Sequence, residues 1–193
     1  MALLCACAQA APSKTAADVA QVVALASSGE TPAEDFSLVI VRADEAQEKE
    51  LARIAESVLE QGAAPVDCFS PAVKQAIAAR LPADVPPEAL ELTEFVPLAA
   101  LNYRVEYGDV TADLLLDTPY APEQTICALI GLFENGVVTW IWTEAEITPE
   151  GNVRVTFSAA ELRRMSEAQA VSLAILSAPW QAESEQSFAQ SVQ

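Results

Sequence analysis

The stretch from Ile126 to Phe157 constrains the fold of this chain more than any other, because it predicts three β-strands joined by two tight turns. Asn135-Gly136 separates the first two strands, and both residues tolerate the positive φ of a type I′ hairpin turn. A second turn signal, PEGN, follows at 149–152. The stretch therefore predicts an antiparallel sheet at the centre of the C-terminal half.

Further β segments lie on both sides of this stretch. Tyr103–Tyr107 alternates apolar with charged residues, and Val110–Leu116 and Ala170–Leu176 are apolar runs bounded by turn formers. Ser158 and Glu161 have the spacing of a capping box and predict a short helix between strands. About seven β segments separated by turns predict an antiparallel β-sandwich, immunoglobulin-like, or a curled sheet.

The N-terminal half predicts a small α/β region that packs as a helical cap on this sheet. Thr15–Ser27 predicts a helix, with a strand as the alternative because of its valines, and Phe36–Val41 predicts a buried strand. A helix with a 3.6-residue apolar stripe follows at Asp44–Gln61. Another helix begins at Ser70-Pro71, with the serine as N-cap and the proline in the first position. The predicted fold class of the whole chain is α+β.

Composition divides the chain into four parts. Residues 1–13 form a leader-like or tether segment, 14–87 the small helical α/β region, 88–181 the antiparallel β region, and 182–193 a polar tail. The boundary between the two folded regions lies in the proline-rich stretch LPADVPPEAL at 81–90. No run of about 20 apolar residues occurs, so no membrane-spanning helix is expected.

The charge of the chain excludes several classes of partner and chemistry. The net charge is −18, from 28 acidic and 10 basic residues, so neither nucleic acid nor an anionic lipid surface is an expected partner. The chain has no histidine, which excludes Ser-His-Asp and Cys-His nucleophiles and histidine-ligated zinc or haem. No glycine-rich loop leads into a helix, so no phosphate cradle and no cofactor are expected.

The first residues, MALLCACAQAA, resemble the end of a bacterial secretory leader. Leu4-Cys5-Ala6-Cys7 is similar to a lipobox, in which Cys7 would be the lipidation site, and Ala8-Gln9-Ala10 has the A-x-A form of a signal-peptidase site. A basic segment and a full apolar segment are missing before them, which a true start upstream of Met1 would explain. The alternative is a chance match in an alanine-rich N-terminus. The preferred hypothesis is an exported protein, at the cell surface or secreted.

Cys68 and Cys127 are too far apart in sequence for CxxC redox or metal chemistry. Outside the cytoplasm they would be able to form a disulfide between the two halves of the chain. Both have apolar neighbours, which is typical of buried free cysteines. The preferred interpretation is that both cysteines are unpaired and buried.

Trp140 and Trp142 are two residues apart on the middle predicted strand, so their side chains point to the same face. Ile141 points to the opposite face, and a strand that is apolar on both faces is typical of the centre of a sheet. The preferred interpretation is a tryptophan layer buried beneath the helical cap. The alternative is an exposed aromatic platform that binds sugars or a partner surface.

Three tyrosines and one arginine are further candidates for binding. Their types favour interfaces but are equally common on ordinary strand surfaces. The candidates for a binding rim are Tyr103, Tyr107 and Tyr120, together with Arg104.

Glu144 and Glu146 continue the tryptophan face and resemble the acid/base pair of a glycosidase. A second carboxylate from a facing strand would be required, and Asp113 and Asp117 are the candidates. Two carboxylates at a solvated strand end are the simpler interpretation. Asp109 recurs at the same interval of four residues as Asp113 and Asp117, but EF-hand spacing is absent, so no metal site is expected.

Two functional hypotheses follow from these patterns. The first is an exported, lipid-anchored, non-catalytic module that binds a protein or a glycan at the cell surface through its aromatic residues. The second is a carboxylate-based glycan hydrolase that uses Glu144 and Glu146 near Trp140 and Trp142. The first is preferred, and no catalytic residue is assigned.

Overall fold

The computed structural model describes residues 20–29, 34–40, 64–134 and 137–179. These residues form eight strands, two α-helices and several short 3-10 turns. In chain order the elements are β1 (Gln21–Ser27), β2 (Ser37–Ile40), α1 (Pro71–Ala78), β3 (Glu91–Leu101), β4 (Val110–Leu115), β5 (Ile126–Glu134), β6 (Val137–Ile147), β7 (Val153–Phe157), α2 (Ala159–Glu167) and β8 (Ala170–Ser177).

All eight strands belong to one antiparallel sheet with the order β1-β4-β7-β6-β5-β8-β3-β2. The end strands β1 and β2 approach each other without a hydrogen-bonded bridge, so the sheet curls into a nearly closed barrel. The prediction of an antiparallel, β-rich fold is confirmed. The sandwich arrangement and the α/β cap are not confirmed, because the described N-terminal strands β1 and β2 are the two edges of the same sheet.

Alternate strand positions fill the interior of the barrel. On β4, Val110, Ala112 and Leu114 point inward and are fully buried, and Thr111 and Asp113 between them are not. One end of the barrel is closed by α2, which buries Leu162 and Met165 in the same core. This helix has the predicted capping box, and the backbone N–H of its N-cap donates to a glutamate carboxylate at 2.7 Å.

A second apolar cluster lies on the outer face of the sheet, beneath α1 and the 3-10 turn Pro65–Cys68 that precedes it. The predicted N-cap of α1 is confirmed, since the Ser70 hydroxyl accepts a hydrogen bond from the backbone N–H of Val73. Val73 and Ile77 are the buried residues of α1. They pack in this cluster with residues of β5, β8 and β3, including Leu129 and Leu176.

The long strand β6 changes its partner in the middle. Its first part, up to Thr143, pairs with β5, and its last part, from Glu144 to Ile147, pairs with β7. The Thr143 hydroxyl lies at this change and donates to the backbone carbonyl of Thr156 at 2.9 Å. Beyond the change, β5 and β6 diverge, and no ladder joins Ile126 and Cys127 to β6. This divergence opens the groove described below.

Two predicted elements are wrong. Thr15–Ser27 was expected to be helical, but Gln21–Ser27 is strand β1, because its valines pair with β4 at the edge of the sheet. Tyr103–Tyr107 was expected to be a strand, but Val105–Tyr107 is a 3-10 turn that ends at Gly108, whose φ is 66°. A glycine adopts this φ without steric cost, so the chain reverses there into β4.

The remaining predicted elements are confirmed or lie outside the described residues. Phe36–Val41 corresponds to β2, which pairs with β3 and so joins the main sheet, but as an edge strand that is only partly buried and not as the fully buried strand that was expected. The first two strands of Ile126–Phe157 pair up to Glu134 and Val137, and the turn residues between them lie outside the described residues. The predicted helix Asp44–Gln61, the leader-like segment with Cys7, and the polar tail also lie outside them.

Candidate ligand-binding groove

Trp140 and Trp142 lie on the outer face of β6 and are half-buried beneath the segment that contains α1. The Trp140 ring contacts Phe69 edge-on, with 5.5 Å between ring centroids, and contacts Phe95 of β3 at 6.1 Å. Edge-to-face geometry of this kind stabilises aromatic pairs beyond the area that they bury. Trp140 is therefore a packing residue beneath α1, and Trp142 lies nearer to solvent at the edge of the cluster.

The indole of Trp140 occupies space that only a glycine leaves free. Gly131 of β5 is its cross-strand partner. A Cβ at Gly131 would lie 2.7 Å from Trp140 Cζ3 and 2.9 Å from its Cη2, which is closer than side chains approach one another. The missing side chain thus lets the tryptophan lie across β5, and this contact sets the position of the tryptophan face.

Arg80 covers one face of Trp142. Its guanidinium carbon lies 3.7 Å from the ring centroid, and its Nη1 donates to the carbonyl of Ala76, one turn back at the end of α1. A cation–π contact of this type contributes about 0.5–1 kcal/mol at an exposed site. Sugars bind tryptophan by stacking on the ring face, so a sugar would have to displace Arg80 from this face.

The divergence of β5 and β6 leaves an open groove of about 250 Å³ beside Arg80 and Trp142. Arg80 and Trp142 form one end, and Glu144 lies on the rim. The described residues that line it are Arg80, Ile126, Cys127, Ala128, Trp142, Thr143, Glu144 and Ala145. The groove therefore combines two strand backbones, an aromatic ring, a cation and a carboxylate.

Cys127 is a free, buried thiol at the floor of this groove. Burial raises its pKa to about 11, and the nearby positive charge of Arg80 offsets part of that rise. A thiol of this kind is protonated at neutral pH and is a poor nucleophile. Cys127 therefore shapes the groove without supplying covalent chemistry.

Arg80 differs from the other described basic residues in its electrostatic partners. It is the only one of them that has no carboxylate within ion-pair distance among the described residues. The five others pair as Lys74–Asp67, Arg104–Asp35, Arg154–Asp113, Arg163–Glu167 and Arg164–Glu134. In a chain with a net charge of −18, a cation held on an aromatic ring at a groove is available to bind an acceptor group of a ligand.

The predicted carboxylate pair does not face a common cleft. Glu144 is exposed at the groove, and Glu146, also exposed, lies 3.5 Å from Arg154 Nη1 on β7. Arg154 also binds Asp113 of β4 in a bidentate contact of 2.7 and 2.8 Å. This hydrogen-bonded ion pair holds the pKa of Asp113 below its usual range and raises that of Arg154. Asp113 and Glu146 thus act as partners of one arginine across three strands.

The three candidate tyrosines do not join the tryptophans. Tyr103 and Tyr107 contact each other at 6.3 Å and both contact Phe36 at the end of the barrel closed by α2. Tyr120 is buried at the opposite end, where its hydroxyl shares a 2.9 Å hydrogen bond with Thr93 and burial raises its pKa to about 12. The two tryptophans therefore lie together beneath α1, Tyr103 and Tyr107 lie together at one end of the barrel, and Tyr120 lies at the other end. Ligand binding by any of these residues remains a prediction.

Sequence reasoning missed Arg80. A cation at the end of a predicted helix is favoured by the helix dipole, and this was the available signal. Its contact with Trp142 depends on how α1 crosses β6, which local sequence does not specify. Arg104, proposed for the tyrosine rim, lies 3.7 Å from Asp35, and both line a second open pocket together with Tyr103 and Asn102.

Comparison with protein-family models, curated proteins and solved structures found no match to this chain. Within the described residues, no three histidine, cysteine, aspartate or glutamate side chains are grouped so that they could hold a metal ion. The helices in that part of the chain are too short or too polar to cross a lipid bilayer.

Proposed function

We propose that this protein is a non-catalytic binding module, exported and lipid-anchored at Cys7, that holds a segment of a partner protein in the groove between β5 and β6. The observation that carries the proposal is Arg80, stacked 3.7 Å above Trp142 in an open groove and without a described carboxylate partner. Aromatic and arginine side chains of this kind are enriched at protein interfaces and are frequent hot spots.

A protein segment fits the groove better than a glycan does. Stacking on a sugar requires a free indole face, and Arg80 covers one face of Trp142. An arginine has five N–H donors, and one described contact, to Ala76, uses one nitrogen. The remaining donors suit carbonyl or carboxylate oxygens, which a peptide supplies at every residue.

The glycan-hydrolase alternative has little support from the arrangement of the carboxylates. Hydrolysis of this type needs an acid and a base on opposite sides of a bound sugar, about 5–9 Å apart. Glu144 and Glu146 lie on the same face of one strand, and Glu146 is turned toward Arg154. No facing carboxylate accompanies Glu144 among the residues that line the groove.

The exported location is a separate part of the proposal and is supported by the lipobox-like Leu4–Cys7 and by the acidic composition. Expression of the full chain with its native upstream sequence, in the presence of labelled palmitate, tests it. Label in the wild-type protein and none in Cys7→Ser is expected. Equal labelling of both, or none in either, would contradict the lipid anchor.

The binding function is tested by selecting displayed peptides against the intact chain and measuring their affinity for variants. Arg80→Gln removes the cation from the groove and should weaken selected binders about tenfold, the cost of one hydrogen bond to a charged group. Arg163→Gln is the matched control, since Arg163 is equally basic but lies on α2 and pairs with Glu167. Binders that respond equally to both variants would show that they do not use the groove.

A further inference from the structure

The groove is bordered by strand backbone that forms no ladder across it. Among the described residues, the last part of β6, Glu144–Ile147, has a hydrogen-bonded strand partner on one side only, which is β7. On its other side β5 has diverged, because the β5–β6 ladder ends at Ala128 and Thr143. The divergent part of β5, Ile126–Cys127, pairs with β8 on its far side. Two strand edges therefore face each other across the groove without a ladder between them.

We propose that the edge of β6 at Glu144–Ile147 binds an extended peptide segment of a partner protein as an added strand, with basic residues alternating with apolar ones. This inference rests on the proposed function and specifies its ligand. Addition of a strand to a sheet edge uses main-chain hydrogen bonds for affinity and alternate side chains for specificity. A strand rises about 3.4 Å per residue, so four residues of β6 match a peptide of similar length.

The side chains along this edge define the chemistry of the peptide. Glu144 and Glu146 are exposed on the outer face, and Ala145 and Ile147 point toward the core but are only half-buried. Ile126 across the groove is also half-buried against the core. Small apolar residues of a bound strand would cover these three side chains.

Charge favours a basic partner at the alternate positions. Lysine or arginine residues of the bound strand would lie opposite Glu144 and Glu146, and opposite charges across paired strands are stabilising. The net charge of −18 also attracts a basic segment from a distance. Arg80, at the other end of the groove, remains available for a carbonyl or carboxylate oxygen of the same segment.

The test uses the intact chain and a short, capped, dye-labelled peptide of alternating lysine and valine. Two N-methylated versions of this peptide, which are isomers of each other, are also needed. One carries a methyl group on the backbone nitrogen of every lysine, and the other on that of every valine. N-methylation blocks hydrogen bonding along one edge of a strand and leaves charge and sequence unchanged. One isomer should bind about tenfold more weakly than the parent, as expected for the loss of two hydrogen bonds, and the other should bind like the parent.

Protein variants test whether the peptide binds beside Glu144. Glu144→Lys should weaken binding of the lysine–valine peptide. Glu106→Lys makes the same charge change at an exposed residue beside the start of β4 and should leave binding unchanged. Glu106 is a suitable control because the register places the start of β4 opposite the end of β7, at the other end of the barrel from Ile147.

Several outcomes would overturn the added strand. They are failure of the parent peptide to bind, equal affinity of the two N-methylated isomers, and equal effects of Glu144→Lys and Glu106→Lys. The binding function would survive each of these results if peptides selected against the chain still responded to Arg80→Gln and not to Arg163→Gln. The proposed binding function would fail, independently of the added strand, if the selected peptides responded equally to Arg80→Gln and Arg163→Gln.

Discussion

Substitution of Gly131 by alanine should disturb the tryptophan face more than any other change of one methyl group on β5. The added Cβ would lie 2.7 Å from Trp140 Cζ3 and 2.7 Å from the Ser172 hydroxyl oxygen, whereas ordinary contacts begin at 3.4 Å. The serine hydroxyl can rotate away. The indole cannot move freely, because Phe69 and Phe95 contact its ring at centroid distances of 5.5 and 6.1 Å.

The expected cost follows from two opposing effects. Overpacking of a well-filled cluster destabilises a protein by about 1–3 kcal/mol. Alanine also restricts the unfolded chain more than glycine does, which contributes about 0.5–1 kcal/mol in favour of the variant. Gly131→Ala should therefore lower the free energy of unfolding by about 1–2 kcal/mol, since the overpacking cost is the larger of the two effects.

Urea unfolding, followed by far-ultraviolet circular dichroism, measures this cost. A double-mutant cycle shows whether the cost comes from the contact with the Trp140 indole. In a Trp140→Leu background the indole is absent, so Gly131→Ala should be neutral or stabilise by up to about 1 kcal/mol. The coupling energy between the two sites should then be about 1–3 kcal/mol. A neutral single variant, or an equal cost of Gly131→Ala in both backgrounds, would refute the idea that the glycine makes room for the tryptophan.

Three further predictions concern other parts of the barrel. Ser158→Ala removes the N-cap of α2 and should cost about 1 kcal/mol of stability in urea unfolding, with no loss expected if the cap were unimportant. The lowered pKa of Asp113 means that its ion pair with Arg154 stabilises the fold above the unfolded-state pKa. The deficit of Asp113→Asn in unfolding free energy should thus be full at pH 7 and shrink below about pH 4, and a pH-independent deficit would contradict this. Cys127 should react slowly with iodoacetamide at pH 8 in the native chain and rapidly in urea, as mass spectrometry would report, and fast native alkylation would contradict its burial.

Local sequence was sufficient for elements whose signals act over a few residues. The N-caps Ser70 and Ser158 satisfy backbone N–H groups within their own first turn, so their helices begin where the sequence predicts. The prediction that the segments on either side of Asn135-Gly136 pair is likewise confirmed, since Glu134 pairs with Val137. Alternation predicted that Trp140 and Trp142 share a face, and they do.

Long-range pairing decided the rest, because its energy comes from residues far apart in sequence. The valines near Gln21 suit a helix or a strand, and only the edge of β4 made them a strand. The same holds for the change of partner along β6, which opens the groove, and for the crossing of α1 that sets Arg80 on Trp142. The sequence by itself thus determined the strands from Val110 onward and the starts of the two described helices. The tertiary structure decided which side chains and backbone edges meet to form a candidate site.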